Sequence, residues 1–253
     1  PHELAPLLSD PELADLMHVR FPSEPSPVVS IEPGEKPMPS VTPPRQEQHE
    51  AIYERIAKAA GRSLEDLRAG LFDVTKVENL DLSRLDITDI TSLSGLTSLR
   101  MLRLNDTWIA DITPLAPLTA LERLYLDWTL VNDLTPLSGL SALLWLCLGT
   151  TPVTDVTPLA LLPRLELLDL ESTGVTDLTP LSGLTALQSL DLNSTGVTDL
   201  TPLSGLTALR ALHLNSTGVT DLAPLHRLEK LSRVVLNDTP VSRDSKQIDA
   251  LKK

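Results

Sequence analysis

One cysteine, Cys147, stands among 253 residues, so no disulfide can close within the chain and no cysteine-based metal site is available. That scarcity fits a reducing compartment. Aromatic residues make up only 3%, which leaves a core to be built from aliphatic side chains. Lys and Arg total 21 against 34 Asp and Glu, a formal charge of −13. So little positive charge argues against nucleic acid and against anionic membrane surfaces as partners. Part of the acidity is a structural aspartate column described below, so it need not report a basic partner. No run of about 18 apolar residues occurs, and no transmembrane helix is expected. The histidines (His2, His18, His49, His213, His226) are scattered without metal-ligand spacing. No glycine-rich phosphate loop, triad-like arrangement or paired carboxylate site stands out. The sequence therefore predicts no enzyme, no cofactor and no metal. No signal peptide is visible, and the first residue is Pro1 rather than Met, as expected of a fragment or a processed product.

What the chain has instead is a period. The block LTALQSLDLNSTGVTDLTPLSG, beginning at Leu184, recurs in register, and its first strand position is Val77, Leu99, Leu121, Leu143, Leu165, Leu187, Leu209 and Leu231, each 22 residues from the next. A fixed period in this range means a solenoid, because each unit must stack on neighbours to bury its apolar face. Counting from that leucine, positions 1, 4 and 6 are apolar, position 9 is usually Thr, and position 11 is Val or Ile.

The pattern LxxLxLxxTxV resembles the leucine-rich repeat family in its short, 22-residue, internalin-like bacterial form, over about residues 77 to 242. The resemblance implies an α/β solenoid of short parallel strands with 3₁₀ turns on the convex side. One departure stands out: the family usually has Asn at position 9, where this chain has Thr107, Thr129, Thr151, Thr173, Thr195, Thr217 and Thr239. A threonine ladder is expected to bond backbone through its hydroxyls. The second half of each unit reads DLTPLSGL. Thr before Pro predicts a helix start, with Thr179 as N-cap and Pro180 at the first helical position, and Gly183 leaves room for one 3₁₀ turn. Eight strands stacked at about 4.8 Å give a rod about 35 Å long. The aspartates at position 13, from Asp89 through Asp111, Asp133, Asp155, Asp177 and Asp199 to Asp221, are expected to accept backbone N–H bonds at their corner rather than to bind cations.

Five segments follow. Residues 1–21 are a short helical segment, a docking peptide or the remnant of a preceding domain. Residues 22–44 are a linker with eight prolines in 23 residues, favouring extended polyproline II. Residues 45–76 are read as a helical N-terminal cap: Ile52 and Ile56 share one face, Gly61 ends the first helix, and Ser63 to Asp66 opens a second with Leu64, Leu67 and Leu71 as its apolar face. Residues 77–242 are the solenoid. Residues 243–253 are a C-terminal cap helix started by Asp244 or Ser245, with Ile248 and Leu251 covering the last unit.

In this family positions 3, 5, 7 and 8 point to the concave face and are free to vary. Units 165–230 are near copies with small polar residues there, whereas units 99–164 carry all three tryptophans. Trp, Tyr and Arg are enriched in binding hot spots. The expected partner-binding patch is Met101, Arg103, Arg123, Tyr125, Trp128, Trp145 and Leu167, edged by Asp127, Asp169 and Glu171; the plainer reading is that the aromatics only pack as cross-strand neighbours. Trp108 sits at a corner outside it. Cys147, central on that face, is expected to be a semi-exposed, ordinary thiol, with His213 three units away. Asn-x-Thr sequons begin at Asn105, Asn193, Asn215 and Asn237, where glycans would crowd the concave face, which argues against a glycosylating secretory route. A cytoplasmic or host-delivered protein is expected. The implied function is non-enzymatic recognition of a protein partner, as effector, adhesin or sensor arm. Two alternatives stand: the recognition arm of a multidomain enzyme such as a GTPase or ubiquitin ligase, and a structural or engineered scaffold.

Overall fold

The computed structural model describes residues 43–251. The expected helix at 1–21 and most of the proline-rich linker lie outside them.

Helix α1 spans Arg45–Ala59 and buries Gln48, Ile52, Ile56 and Ala57 on one face. Gly61 ends it with φ of +64°, a left-handed conformation that costs glycine nothing. Helix α2, Leu64–Arg68, opens with the expected capping box: the Ser63 hydroxyl accepts from the Asp66 N–H at 3.0 Å, and the Asp66 carboxylate accepts from the Ser63 N–H at 3.2 Å. It is shorter than its apolar spacing suggests, because Gly70, at φ of +65°, turns the chain away. Leu71 is consequently 70% exposed rather than part of a buried face.

Eight three-residue strands follow: β1 Asn79–Asp81, β2 Met101–Arg103, β3 Arg123–Tyr125, β4 Trp145–Cys147, β5 Leu167–Asp169, β6 Ser189–Asp191, β7 Ala211–His213 and β8 Arg233–Val235. They form one parallel sheet in sequential order. Each residue pairs with its repeat equivalent, Arg103 with Tyr125 and Tyr125 with Cys147. A 3₁₀ turn follows every strand, Thr179–Gly183 being representative. Helix α3, Ser245–Leu251, closes the described chain.

The core is a set of stacked aliphatic columns. Leu143, Leu146, Leu148, Val153, Val156, Leu159 and Leu162 of one unit are all fully buried, at 0% or 1% exposure, and the neighbouring units repeat them. One unit alone would leave two faces of that set in water, so stacking supplies the stability. Ile52 and Ile56 of α1 join the same cluster before the first unit, and Ile248 and Leu251 of α3 pack on it after the last.

The backbone at both ends is closed by a glutamine. Gln48 Oε1 accepts from the Thr88 N–H at 2.8 Å, and its Nε2 donates to the Pro43 carbonyl at 2.7 Å. Gln247 Oε1 accepts from the Leu222 N–H at 2.8 Å, and its Nε2 donates to the Thr220 carbonyl at 3.1 Å. Polar groups near a core need such partners, since an unpaired one costs about 1–3 kcal/mol.

The repeat's polar positions have separate jobs. Thr107, Thr129, Thr151, Thr173, Thr195, Thr217 and Thr239 each donate their hydroxyl to the carbonyl three residues earlier, at 2.6–2.7 Å. The threonine ladder thus bonds backbone as expected, but within its own unit. Thr179 is not the N-cap of its turn; Leu178 holds that place, and Asp177 two residues back accepts from the Thr179 N–H at 2.8 Å. Asp111, Asp133, Asp155, Asp199 and Asp221 do the same at 2.8 Å. Hydrogen bonds from the threonine hydroxyl and backbone hold the carboxyls of Asp111, Asp133, Asp155, Asp177 and Asp199 below the usual carboxylate range.

Candidate functional site

The sheet face turned away from the leucine core carries strand positions 3 and 5, since alternate residues of a strand point oppositely. Register sets their neighbours. The position 5 column reads Arg103, Tyr125, Cys147, Asp169, Asp191 and His213 across successive strands. The position 3 column reads Met101, Arg123, Trp145 and Leu167.

Each column holds one stacked cation. The guanidinium carbon of Arg103 lies 4.8 Å from the Tyr125 ring centroid, and that of Arg123 lies 4.1 Å from the Trp145 centroid. Each arginine belongs to the strand before its ring, so one-strand spacing brings cation and ring face together. The rings are therefore less open than the sequence suggests: Tyr125 is 3% exposed, Trp145 6% and Leu167 9%. Met101, Arg103, Arg123 and Glu171 are half-buried. Cys147 is fully buried, not semi-exposed, set between Tyr125 and Asp169 on the flanking strands. His213 lies three strands from it, as the spacing predicts.

Trp128 differs from the rest. It is 45% exposed and has φ of +58°. Position 8 is left-handed in every unit, through Arg84, Asp106, Thr150, Ser172, Ser194, Ser216 and Asp238, with φ between +55° and +61°. The solenoid corner imposes this conformation, and it costs an L-residue about 1–2 kcal/mol. Ser and Asp soften that cost by local hydrogen bonding; a bulky indole does not.

The acidic edge turns out to support the backbone. Asp127 Oδ1 accepts from the Gly149 N–H of the next unit at 3.0 Å, and its Oδ2 accepts from Asn105 Nδ2 at 2.6 Å. Asn193 and Asn215 accept from the next unit's position 7 N–H in the same way, at 2.8 Å. Where position 5 is aspartate, it serves its own unit instead: Asp169 accepts from the Glu171 N–H and Asp191 from the Asn193 N–H, both at 2.9 Å. Sequence reasoning placed position 7 among the freely varying residues. The run of Asn at 193, 215 and 237 was the available signal that it is not.

The Asp127 and Asp169 carboxylates and the Cys147 thiol lie within 4.8 Å of one another. Trp108, outside the patch, donates its indole N–H to Asp86 at 3.3 Å. Asp191 Oδ2 lies 3.0 Å from His213 Nδ1.

Comparison with known proteins places the fold. A family model for leucine-rich repeats, two copies, matches residues 163–205. No curated protein matches the sequence significantly. Among solved structures, an internalin from Listeria monocytogenes is similar at 30% identity and a TM-score of 0.67, over 75% of this chain and 56% of that one. This chain thus spans little more than half the length of that relative. Internalin C2 from the same organism is similar at 29% identity and a TM-score of 0.59, over 74% of this chain and 92% of that one. A leucine-rich-repeat protein from Leptospira interrogans shares the fold at 21% identity and a TM-score of 0.63, over 71% of this chain and 53% of that one. Leucine-rich-repeat proteins of internalin type are protein-interaction modules. The eight in-register parallel strands, the 3₁₀ turns between them and these likenesses identify the chain as a leucine-rich-repeat protein of the short, internalin-like repeat type.

Proposed function

We propose that this chain is a non-enzymatic recognition module that binds a protein partner on the concave face, over units 2 to 5. The contact residues are Met101, Arg103, Arg123, Tyr125, Trp128, Trp145 and Leu167, with Asp127, Asp169 and Glu171 at the edge. The observation that carries this reading is Trp128, a 45% exposed indole held in a left-handed backbone conformation. Later units fold with Ser172, Ser194 and Ser216 in the same place and the same left-handed conformation. An exposed aromatic kept at a conformational cost is what a binding anchor requires. The stacked Arg103 and Arg123 support it, because a stacked guanidinium loses less side-chain freedom on binding.

The test is affinity capture from lysate with wild type beside Trp128→Ser, which installs the residue of three sister units and should fold normally. A protein retained by wild type and lost by the serine variant, with matching circular dichroism, supports the reading. Equal retention by both moves the site off this face, the N-terminal segment being the next place to look.

A further inference from the structure

Each unit runs from its strand corner to its 3₁₀ turn along the side of the solenoid. Position 11 of that run is buried in every unit from Ile109 to Val219, so positions 10 and 12 face outward and form a lateral wall. Neighbouring units touch there. A Cβ placed on Gly174 would lie 2.7 Å from the Thr154 methyl carbon, and Gly196 meets Thr176 in the same way at 2.7 Å. Position 10 therefore packs beside position 12 of the unit before. Units 5 to 7 keep glycine at position 10, whereas units 2 to 4 carry Trp108, Leu130 and Pro152. Leu130 follows Ala110, which is smaller than the threonine that bars a side chain at Gly174. Trp108 and Leu130 are half-buried and Pro152 is exposed.

The wall carries charge of one sign. From position 8 to position 15, units 2 to 7 hold no Lys, Arg or His, and every one of them has aspartate at position 13. Asp111, Asp133, Asp155, Asp177 and Asp199 are exposed. Each engages Oδ1 with the threonine N–H two residues on, at 2.8 Å, which leaves Oδ2 for a second donor. Among the described residues no cation pairs with any of the five. The Thr157 hydroxyl and N–H hold the Asp155 carboxyl below its ordinary value although Asp133 and Asp177 push it up, so the column stays ionised at neutral pH. Cations return at the ends: Arg84 in unit 1, Arg45 of α1, which pairs with Asp89, and Arg243 in unit 8.

We propose that this lateral wall is a second docking surface, for a basic segment of a protein partner. The segment sets an apolar side chain against Trp108, Leu130 and Pro152 and lays Lys or Arg along the aspartate column. Charge complementarity selects that occupant, because a basic segment relieves the repulsion within the column and an acidic one adds to it. Five carboxylates spaced at about 4.8 Å span about 19 Å, which is about 13 residues of helix or about six of extended chain. The wall is a different surface from the strand face, and the inference does not depend on the concave-face reading.

The experiment is selection of a random 15-residue peptide library, displayed on phage, against the full chain at physiological ionic strength. Enriched peptides are expected to combine Lys or Arg with an aromatic or aliphatic residue. The most enriched one, made synthetically, is then titrated against variants matched by circular dichroism. Asp111→Asn/Asp133→Asn/Asp155→Asn keeps the turn acceptors, loses three charges and should bind about tenfold more weakly. Leu130→Gly/Pro152→Gly, which installs the residue of units 5 to 7, should also weaken binding. Glu54→Gln/Glu65→Gln/Glu229→Gln removes three exposed carboxylates off the wall and should bind like wild type, as should Trp128→Ser. No enrichment, peptides without Lys or Arg, binding unmoved by the wall variants, or an equal loss in the off-wall variant overturns the inference. Peptides that need Trp128 but not the wall also overturn it, and they leave the concave-face reading standing.

Discussion

The guanidinium of Arg123 stacks on the indole of Trp145 with 4.1 Å between guanidinium carbon and ring centroid, across two adjacent parallel strands. The contact joins a cation to the one buried tryptophan of the patch. Arg123→Gln should therefore shift the tryptophan emission maximum and lower stability by about 0.5–1 kcal/mol. Fluorescence-monitored urea unfolding checks both. An unchanged spectrum and midpoint would show that the stack does not persist in solution.

Trp128 sets stability against binding. Trp128→Gly relieves the left-handed strain at φ of +58°, and the gain of about 1–2 kcal/mol is partly offset by the greater freedom of glycine in the unfolded chain. A net stabilisation of up to about 1 kcal/mol is expected, read as a higher urea midpoint with an unchanged slope. The same variant should fail to capture the partner.

Asp127 separates structural from recognition roles. Its bond to the Gly149 N–H at 3.0 Å needs only an acceptor oxygen. Asp127→Asn should keep near-wild-type stability, because Asn193 and Asn215 do that work in their own units. Asp127→Ala should cost about 1–3 kcal/mol by leaving the amide unpaired. Thermal unfolding of the two variants distinguishes them.

The aspartate column predicts an acid transition. Its carboxyls sit below their ordinary value because threonine hydroxyl and backbone donors favour the charged form. At Asp89 burial pushes the pKa up, but the Thr91 N–H and hydroxyl, Arg45 and His49 outweigh it and hold the carboxyl at about 2. A depressed folded value means the stabilisation is fully present above the unfolded value of about 3.9 and is lost as pH falls through the folded value. Stability from these groups should be flat from pH 5 to 8 and should fall between about pH 4 and pH 2. The triple variant Asp155→Asn/Asp177→Asn/Asp199→Asn keeps the turn acceptors but not the titration, so its fall over that window should be shallower. Denaturant midpoints measured across pH 2–8 provide the check.

How far the sequence reaches differs between core and face. The 22-residue spacing of leucines determines which side chains go inside, because a parallel solenoid offers one buried position set per turn, and Leu143, Leu146 and Leu148 sit fully buried. The Ser63 capping box and the aspartate turns were also legible, since their partners lie within three residues. Contacts between units were harder to read. The burial of Tyr125 and Cys147 depends on what stands one strand away, and the period pairs positions without saying how far a side chain leans. The same limit hid the work of Asp127, whose amide partner is 22 residues on. Leu71 fails for a different reason: Gly70 ends the helix before its apolar spacing can be used.

Binding of protein to one part of the sheet face is the proposal on which the others depend. Hydrogen–deuterium exchange of the full chain, alone and with its captured partner, tests it most directly. Added protection is expected in units 2 to 5, over Met101–Arg103, Arg123–Tyr125, Trp128 and Trp145–Cys147, with little change in the near-copy strand Ala211–His213. Protection confined to the 3₁₀ turns or to the terminal helices would contradict it.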